Sequence, residues 1–228
     1  MPHITNYRLD GVRLPSVSTI TGVLSKEGLN RWYRKHGFEE CDRLSGEARD
    51  RGTAVATMFE EYRKTGKKPR SKFHKIVLGE WLAWGEGWKG VTLVAEPHLV
   101  NTLDGYHGSP DLVFYDGEKW AIGDDKCKGR FADYGLLMNE HGYAMCNMMH
   151  DTETDELKPV PWKIPLDNIF FWTYNPETGK LYPHHHKFDP KVYEDFLQCR
   201  RMWELNKVAE KYFKENAIVL PEETCEAK

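Results

Sequence analysis

The sequence predicts a mixed helix-and-strand protein, α/β or α+β in class, on three observations. A helical pattern runs from Ser16 to about Trp88, short β-branched and aromatic runs then pair around tight-turn dipeptides, and an amphipathic pattern closes the chain after Asp189-Pro190. The chain has 228 residues, 40% hydrophobic and 29% charged. That length suits one domain over 1–228, and that composition excludes wholesale disorder. Neither an internal repeat nor a low-complexity tract interrupts it.

The elements follow in order. YRLDGVRLP alternates around Asp10-Gly11, which predicts a small hairpin. Three or four helices follow in residues 1–90, with Ser16, Ser18 and Ser45 as candidate caps and breaks near Gly37, Gly46 and Gly66 to Pro69. Residues 91–149 form the expected core: a strand over 91–100, two strands around Asp116-Gly117, and a helix over 131–149 that aligns Leu136, Asn139 and Tyr143. Residues 150–166, acidic and proline-bearing, read as an exposed connection. NIFFWTYN and KLYPHHHKF predict a hairpin, and Asp189-Pro190 caps a helix to about Asn216, so that 167–216 is hairpin plus helix.

With 32 Lys and Arg against 35 Asp and Glu, the net charge of −3 offers no global pull on a polyanion, so any nucleic acid must be met locally. The opening residues lack a signal-peptide pattern and no stretch is apolar enough for a bilayer, which makes a cytoplasmic location and no membrane partner the default expectation. Five scattered cysteines, none in a Cys-x-x-Cys pair, point to neither a disulfide framework nor a zinc site.

The chemistry concentrates in GSPDLVFYDGEKWAIGDDKCK, residues 108–128. A turn over 116–119 pairs positions summing to 235, which sets Asp111 opposite Asp124. Directly opposed residues have Cβ atoms about 4.5–5.5 Å apart, and alternate residues share a face, so Lys126 joins the two acids while Asp125 points away. Two carboxylates that close repel unless a cation or proton lies between them. An oxygen-only pair suits Mg²⁺ or Mn²⁺, which share their coordination with water and phosphate, and a lysine alongside can serve the attacking water. The plainer alternative is a salt-bridged hairpin in which Lys126 merely neutralises two acids.

These residues resemble the PD-(D/E)XK nuclease superfamily, in its RecB-type branch of phage and mitochondrial exonucleases. Gly108-Ser109-Pro110-Asp111 corresponds to the family's G-x-x-D and Asp124-Asp125-Lys126 to its (D/E)-x-K. Arg51-Gly52-Thr53 followed by Ala56 stands at the R-G-T-x-x-H helix, with alanine for histidine. Asn139 to Tyr143 has the spacing of Gln-x-x-x-Tyr, and PSVSTITGVL resembles the opening of phage members. The resemblance implies a restriction-endonuclease-like core, a central mixed β-sheet flanked by helices, and phosphodiester hydrolysis in DNA with Mg²⁺ or Mn²⁺. By position, Asp111 and Asp124 would bind metal with the Asp125 carbonyl, Lys126 would serve the water, and Arg51, Thr53, Asn139 and Tyr143 would meet the nucleic acid.

Glu60, one turn beyond Ala56, and Glu96, within VAEPHLV, are candidates for a further metal ligand. Lys67, Lys68 and Arg70 lie in a basic run over 63–75, and Lys128 and Arg130 follow the acidic strand; all five are candidate phosphate contacts. His184, His185 and His186 cannot converge on one ion, because neighbours on a strand alternate faces. Trp81, Trp84 and Trp88 fall at helical spacing and read as core. The leading reading is a metal-dependent deoxyribonuclease, exonuclease rather than restriction enzyme, in recombination, repair or phage DNA metabolism. The second, motivated by Ala56, is a nuclease-fold protein that binds nucleic acid or a partner without cutting.

Overall fold

The computed structural model describes residues 6–24, 33–85, 92–115, 117–126 and 133–216, with the side chains of 63, 64, 85, 92–95 and 126 outside the description. Strands β1 (Arg8–Leu9) and β2 (Val12–Arg13) join through Asp10 and Gly11, whose φ values of 50° and 80° are the backbone this two-residue turn requires. Helix α1 (Val17–Thr21) starts on Ser16, whose hydroxyl accepts from the Thr19 N–H. Helix α2 (Phe38–Thr65) ends on Gly66 in the left-handed region, its N–H bonded to the Tyr62 carbonyl. Helix α3 (Lys72–Gly85) follows Ser71, whose hydroxyl accepts from the His74 N–H.

Gly46 does not break the chain, and Ser45 caps nothing: both lie inside α2. A glycine costs a helix interior only about 1 kcal/mol, and Arg43 pairs with both Glu40 and Glu47 across this stretch.

The strands are β3 (Thr92–Ala95), β4 (His98–Asn101), β5 (Tyr106–Gly108), β6 (Leu112–Tyr115), β7 (Trp120–Lys126), β8 (Met148–Asp151), β9 (Glu156–Pro159), β10 (Asn168–Tyr174) and β11 (Leu181–Lys187). Helix α4 (Tyr134–Ala144) follows β7, and α5 (Pro190–Glu215) closes the description. A five-stranded sheet runs β11-β10-β7-β6-β3, parallel only between β7 and β10, and a four-stranded antiparallel sheet runs β5-β4-β8-β9. The architecture is mixed α/β, a mixed sheet flanked by helices, as expected.

Two strand expectations need correction. The single strand over 91–100 is two, β3 and β4, which belong to different sheets. Glu96 takes φ 48° and Pro97 has no N–H to give a ladder, so the chain turns out of one sheet into the other there. The connection over 150–166 holds most of the β8–β9 hairpin, which begins at Met148 in the stretch expected to end the helix over 131–149; that helix stops at Ala144. The hairpin's acidic residues build the turn: the Asp151 carboxylate accepts from the N–H groups of Glu153 and Thr154 and from Lys158.

Helices cover both faces of the larger sheet. On one face Val55, Met58 and Phe59 of α2 and Val77, Leu78 and Trp81 of α3 pack on Leu112, Phe114, Ala121, Phe170, Trp172 and Tyr174. On the other, Val17 and Ile20 of α1, Met138 and Tyr143 of α4 and Phe196 of α5 pack on Val113, Ile122 and Ile169. Trp84 stands 4.7 Å from the Trp172 ring, so Trp81 and Trp84 are core as expected; Trp88 lies outside the described residues. Among the described residues no helix is long and apolar enough to cross a membrane.

Burial disfavours the charged form of four histidines to differing degrees. His141 of α4 bonds the Leu137 carbonyl through Nδ1 and accepts the N–H of Asp189, the cap of α5, at Nε2. Burial lowers its pKa below the usual 6.5, and burial likewise lowers those of His184, His185 and His186. The unfolded chain therefore takes up protons first as pH falls, so this part of the stability is complete above about 6.5 and is lost as pH drops toward the folded values. The expected result is a lower urea midpoint at pH 5.5 than at pH 7.5, a range above the usual carboxylate titrations, where about 4 is ordinary. An equal or higher midpoint at pH 5.5 would contradict it.

Candidate active site

Strands β6 and β7 pair in the predicted register, Leu112 with Gly123 through Tyr115 with Trp120. Continued one step beyond the start of β6, that register sets Asp111 opposite Asp124. The Asp111 carboxylate accepts the Asp125 N–H at 2.6 Å, while its carbonyl accepts the Glu96 N–H at 3.0 Å. Asp111 thus ties β7 to the bend between β3 and β4. Side chains alternate as expected: Val113, Ile122 and Asp124 belong to the α1/α4 face, and Asp125 turns to the other, where the Tyr174 hydroxyl donates to it at 2.7 Å. Lys126 occupies the register position two beyond Asp124, paired with Thr173; its side chain lies outside the described residues, as do Lys128 and Arg130.

Asp124 is only 4% exposed and Asp111 is half-buried. Carboxylates at that depth, on adjacent paired positions, have to be met by hydrogen bonds or a cation. Among the described residues no three or more Asp, Glu, His or Cys side chains form a metal cage. Two carboxylates with a nearby backbone carbonyl fit Mg²⁺ or Mn²⁺ nonetheless, since such ions complete their shell with water and substrate phosphate.

Glu96 does not lie mid-strand. It sits at the bend with φ 48°, half-buried, its backbone bonded to Asp111. A non-glycine residue held there costs about 1–3 kcal/mol, and such strain clusters at functional sites. Glu60, also half-buried, is on α2, one residue past Phe59. The Phe59 ring is 6.0 Å from that of Tyr174, whose hydroxyl meets Asp125.

Asn139 and Tyr143 do come to the acidic face. Thr21 of α1 donates to Asn139 Oδ1 at 2.7 Å, which fixes the amide on α4. The Tyr143 ring rests on Gly108, where a Cβ would come within 2.5 Å of Tyr143 Cε1. That contact accounts for glycine at the head of Gly108-Ser109-Pro110-Asp111. Arg51, Thr53 and Ala56 are exposed on α2, and Lys67, Lys68 and Arg70 are exposed on the α2–α3 connection. Those helices cover the opposite face of the sheet from Asp124, so these residues are not gathered with the acids. Thr21, Tyr174 and Thr173 were not singled out by sequence; they are ordinary core or capping residues until the register is known.

No profile of a known protein family matches the chain, and no curated protein matches it. Two solved structures of one exonuclease are similar. An alkaline exonuclease, LHK-Exo, from Laribacter hongkongensis is 14% identical, with a TM-score of 0.49 over 89% of this chain and 92% of that one. LHK-Exo in complex with dAMP is 14% identical, with a TM-score of 0.47 over 88% of this chain and 90% of that one.

Proposed function

We propose that this protein is a Mg²⁺- or Mn²⁺-dependent deoxyribonuclease, an exonuclease, that hydrolyses phosphodiester bonds in recombination, repair or phage DNA metabolism. The observation that carries the reading is the facing of Asp111 and Asp124 across β6 and β7, with Lys126 two positions on. When bound, Mg²⁺ or Mn²⁺ would supply Lewis acidity at the scissile phosphate. Asp111, Asp124 and the Asp125 carbonyl would hold the ion, with Glu96, whose backbone bonds to Asp111, as the candidate for a further oxygen; Glu60 lies on α2, which covers the opposite face, and is the weaker candidate. Lys126 orients the water and offsets charge that grows on the phosphate oxygens. Asn139 and Tyr143 orient the phosphate from α4. The water oxygen bonds to phosphorus and gives up a proton, the P–O ester bond breaks, and the departing oxygen takes up a proton, so that none is gained or lost overall.

The resemblance, rather than the geometry, carries the choice of DNA, the exonuclease mode and the roles of Arg51 and Thr53. Lys67, Lys68, Arg70, Lys128 and Arg130 are proposed to bind flanking phosphates through salt-sensitive contacts. A second reading, a non-cutting binder of nucleic acid or of a protein, is favoured by one observation: residue 56 of α2 is an exposed alanine without any ligand atom.

The experiment incubates the protein with end-labelled single- and double-stranded DNA in Mg²⁺, in Mn²⁺ and in chelator, beside Lys126→Ala and Ala56→His. Cleavage that needs metal and is abolished by Lys126→Ala is expected. DNA binding without cleavage by wild type under any condition would overturn the enzyme, and activity gained only by Ala56→His would assign the protein to the second reading.

A further inference from the structure

His184, His185 and His186 have no part in the site as described, yet the register carries two of them to its face. Asp124 pairs with Phe171 of β10, and Phe171 pairs with His184 of β11. Paired residues share a face, so Asp124, Phe171 and His184 form one row across the sheet, spanning about 10 Å as two strand spacings. The Phe171 ring stacks on His184 at 4.7 Å and on His186 at 5.2 Å, with interplanar angles of 22° and 14°. His186 is near enough to His141 on α4 to disfavour the charged form of that ring. His184 is half-exposed, and its Nε2 lies 3.4 Å from the hydroxyl of Thr173, the residue paired with Lys126.

We propose that His184 is a nucleobase-stacking subsite of this active site, taking a base that flanks the phosphate held at Asp111 and Asp124, with Phe171 and His186 as the support that keeps the ring flat. The inference rests on the nuclease reading above. The row from Asp124 runs beneath the helices through Phe171, which is buried, and reaches solvent at the half-exposed His184, so that ring is the end of the row open to a strand that leaves the acids. The chemistry selects a base rather than a phosphate. Burial lowers the pKa of both His184 and His186, so at neutral pH the rings are uncharged and offer a π face with no cation for a phosphate. Stacking of that kind is tolerant of sequence, because every base has a π face. His185 provides the internal control: it stacks on Phe170 at 4.2 Å, but on the face opposite the acids.

Fluorescence anisotropy in chelator, where nothing is cut, measures affinity for labelled single-stranded oligonucleotides, intact or with one abasic position moved stepwise along the strand. His184→Ala is expected to weaken binding about ten-fold, and His184→Trp to retain it, whereas His185→Ala leaves it unchanged. At one abasic position the wild type should lose about the same ten-fold, and His184→Ala should lose nothing more. Equal effects from His184→Ala and His185→Ala, or a His184→Ala loss that persists at every abasic position, would overturn the subsite while leaving the nuclease intact. A wild-type protein that neither binds nor cuts DNA overturns both.

Discussion

Asp124→Asn is expected to lower metal-dependent DNA cleavage by about 10²-fold or more while costing under about 1 kcal/mol of stability. Asparagine keeps the shape of a side chain that is 4% exposed, and it removes one of two like charges that face each other across β6 and β7. Function and stability are therefore expected to respond separately, which is the outcome the proposed role of the two acids requires. Metal gives an independent readout. A ligand that binds only the folded protein stabilises it by about 2.7 kcal/mol at a hundred times its Kd, so Mn²⁺ should raise the wild-type Tm and leave that of Asp124→Asn unmoved. An Asn variant that cuts like wild type, or that responds to Mn²⁺ equally, would remove Asp124 from the site.

Trp172→Ala is expected to cost about 3–5 kcal/mol, which at this chain length is a fall in Tm of roughly 10 °C. The ring is fully buried, and it fills the place that the missing side chain of Gly123 leaves open. A Cβ on Gly123 would lie 2.5 Å from Trp172 Cη2 and closer still to Cζ3. Gly123→Ala alone should therefore cost about 1–3 kcal/mol by overpacking, yet be neutral or stabilising when added to Trp172→Ala. Denaturant melts of the two single variants and the double close the cycle. Additive losses would show that glycine and tryptophan do not share this space.

Much of this arrangement was legible in the sequence because it rests on short-range rules. The register of β6 and β7 followed from turn length, and the caps at Ser16 and Asp189 followed from side chains that bond their own backbone. What could not be read depends on partners far along the chain. Glu96 and Pro97 extend an apolar run, and only the separation of two sheets shows that the chain turns there. The β8–β9 hairpin escaped because its strands are largely solvated and carry little alternation, while its acids serve the turn. Thr21, Tyr174 and the Phe171 stack meet the candidate residues only through contacts across 118 residues, 49 residues and neighbouring strands. The basic run, legible as charge, turned out to lie on the helical layer covering the other face.

The doublet Asp124-Asp125 has a consequence for error tolerance. A slip of β7 by one residue would bring Asp125 opposite Asp111, and a carboxylate pair would survive on that face. The position of Lys126 would then pass to Cys127, and the amine would leave. The acids are thus spelled with redundancy and the lysine is not, so the spacing from acid to amine is the one part of the motif where a single misalignment would erase the chemistry without erasing the charge.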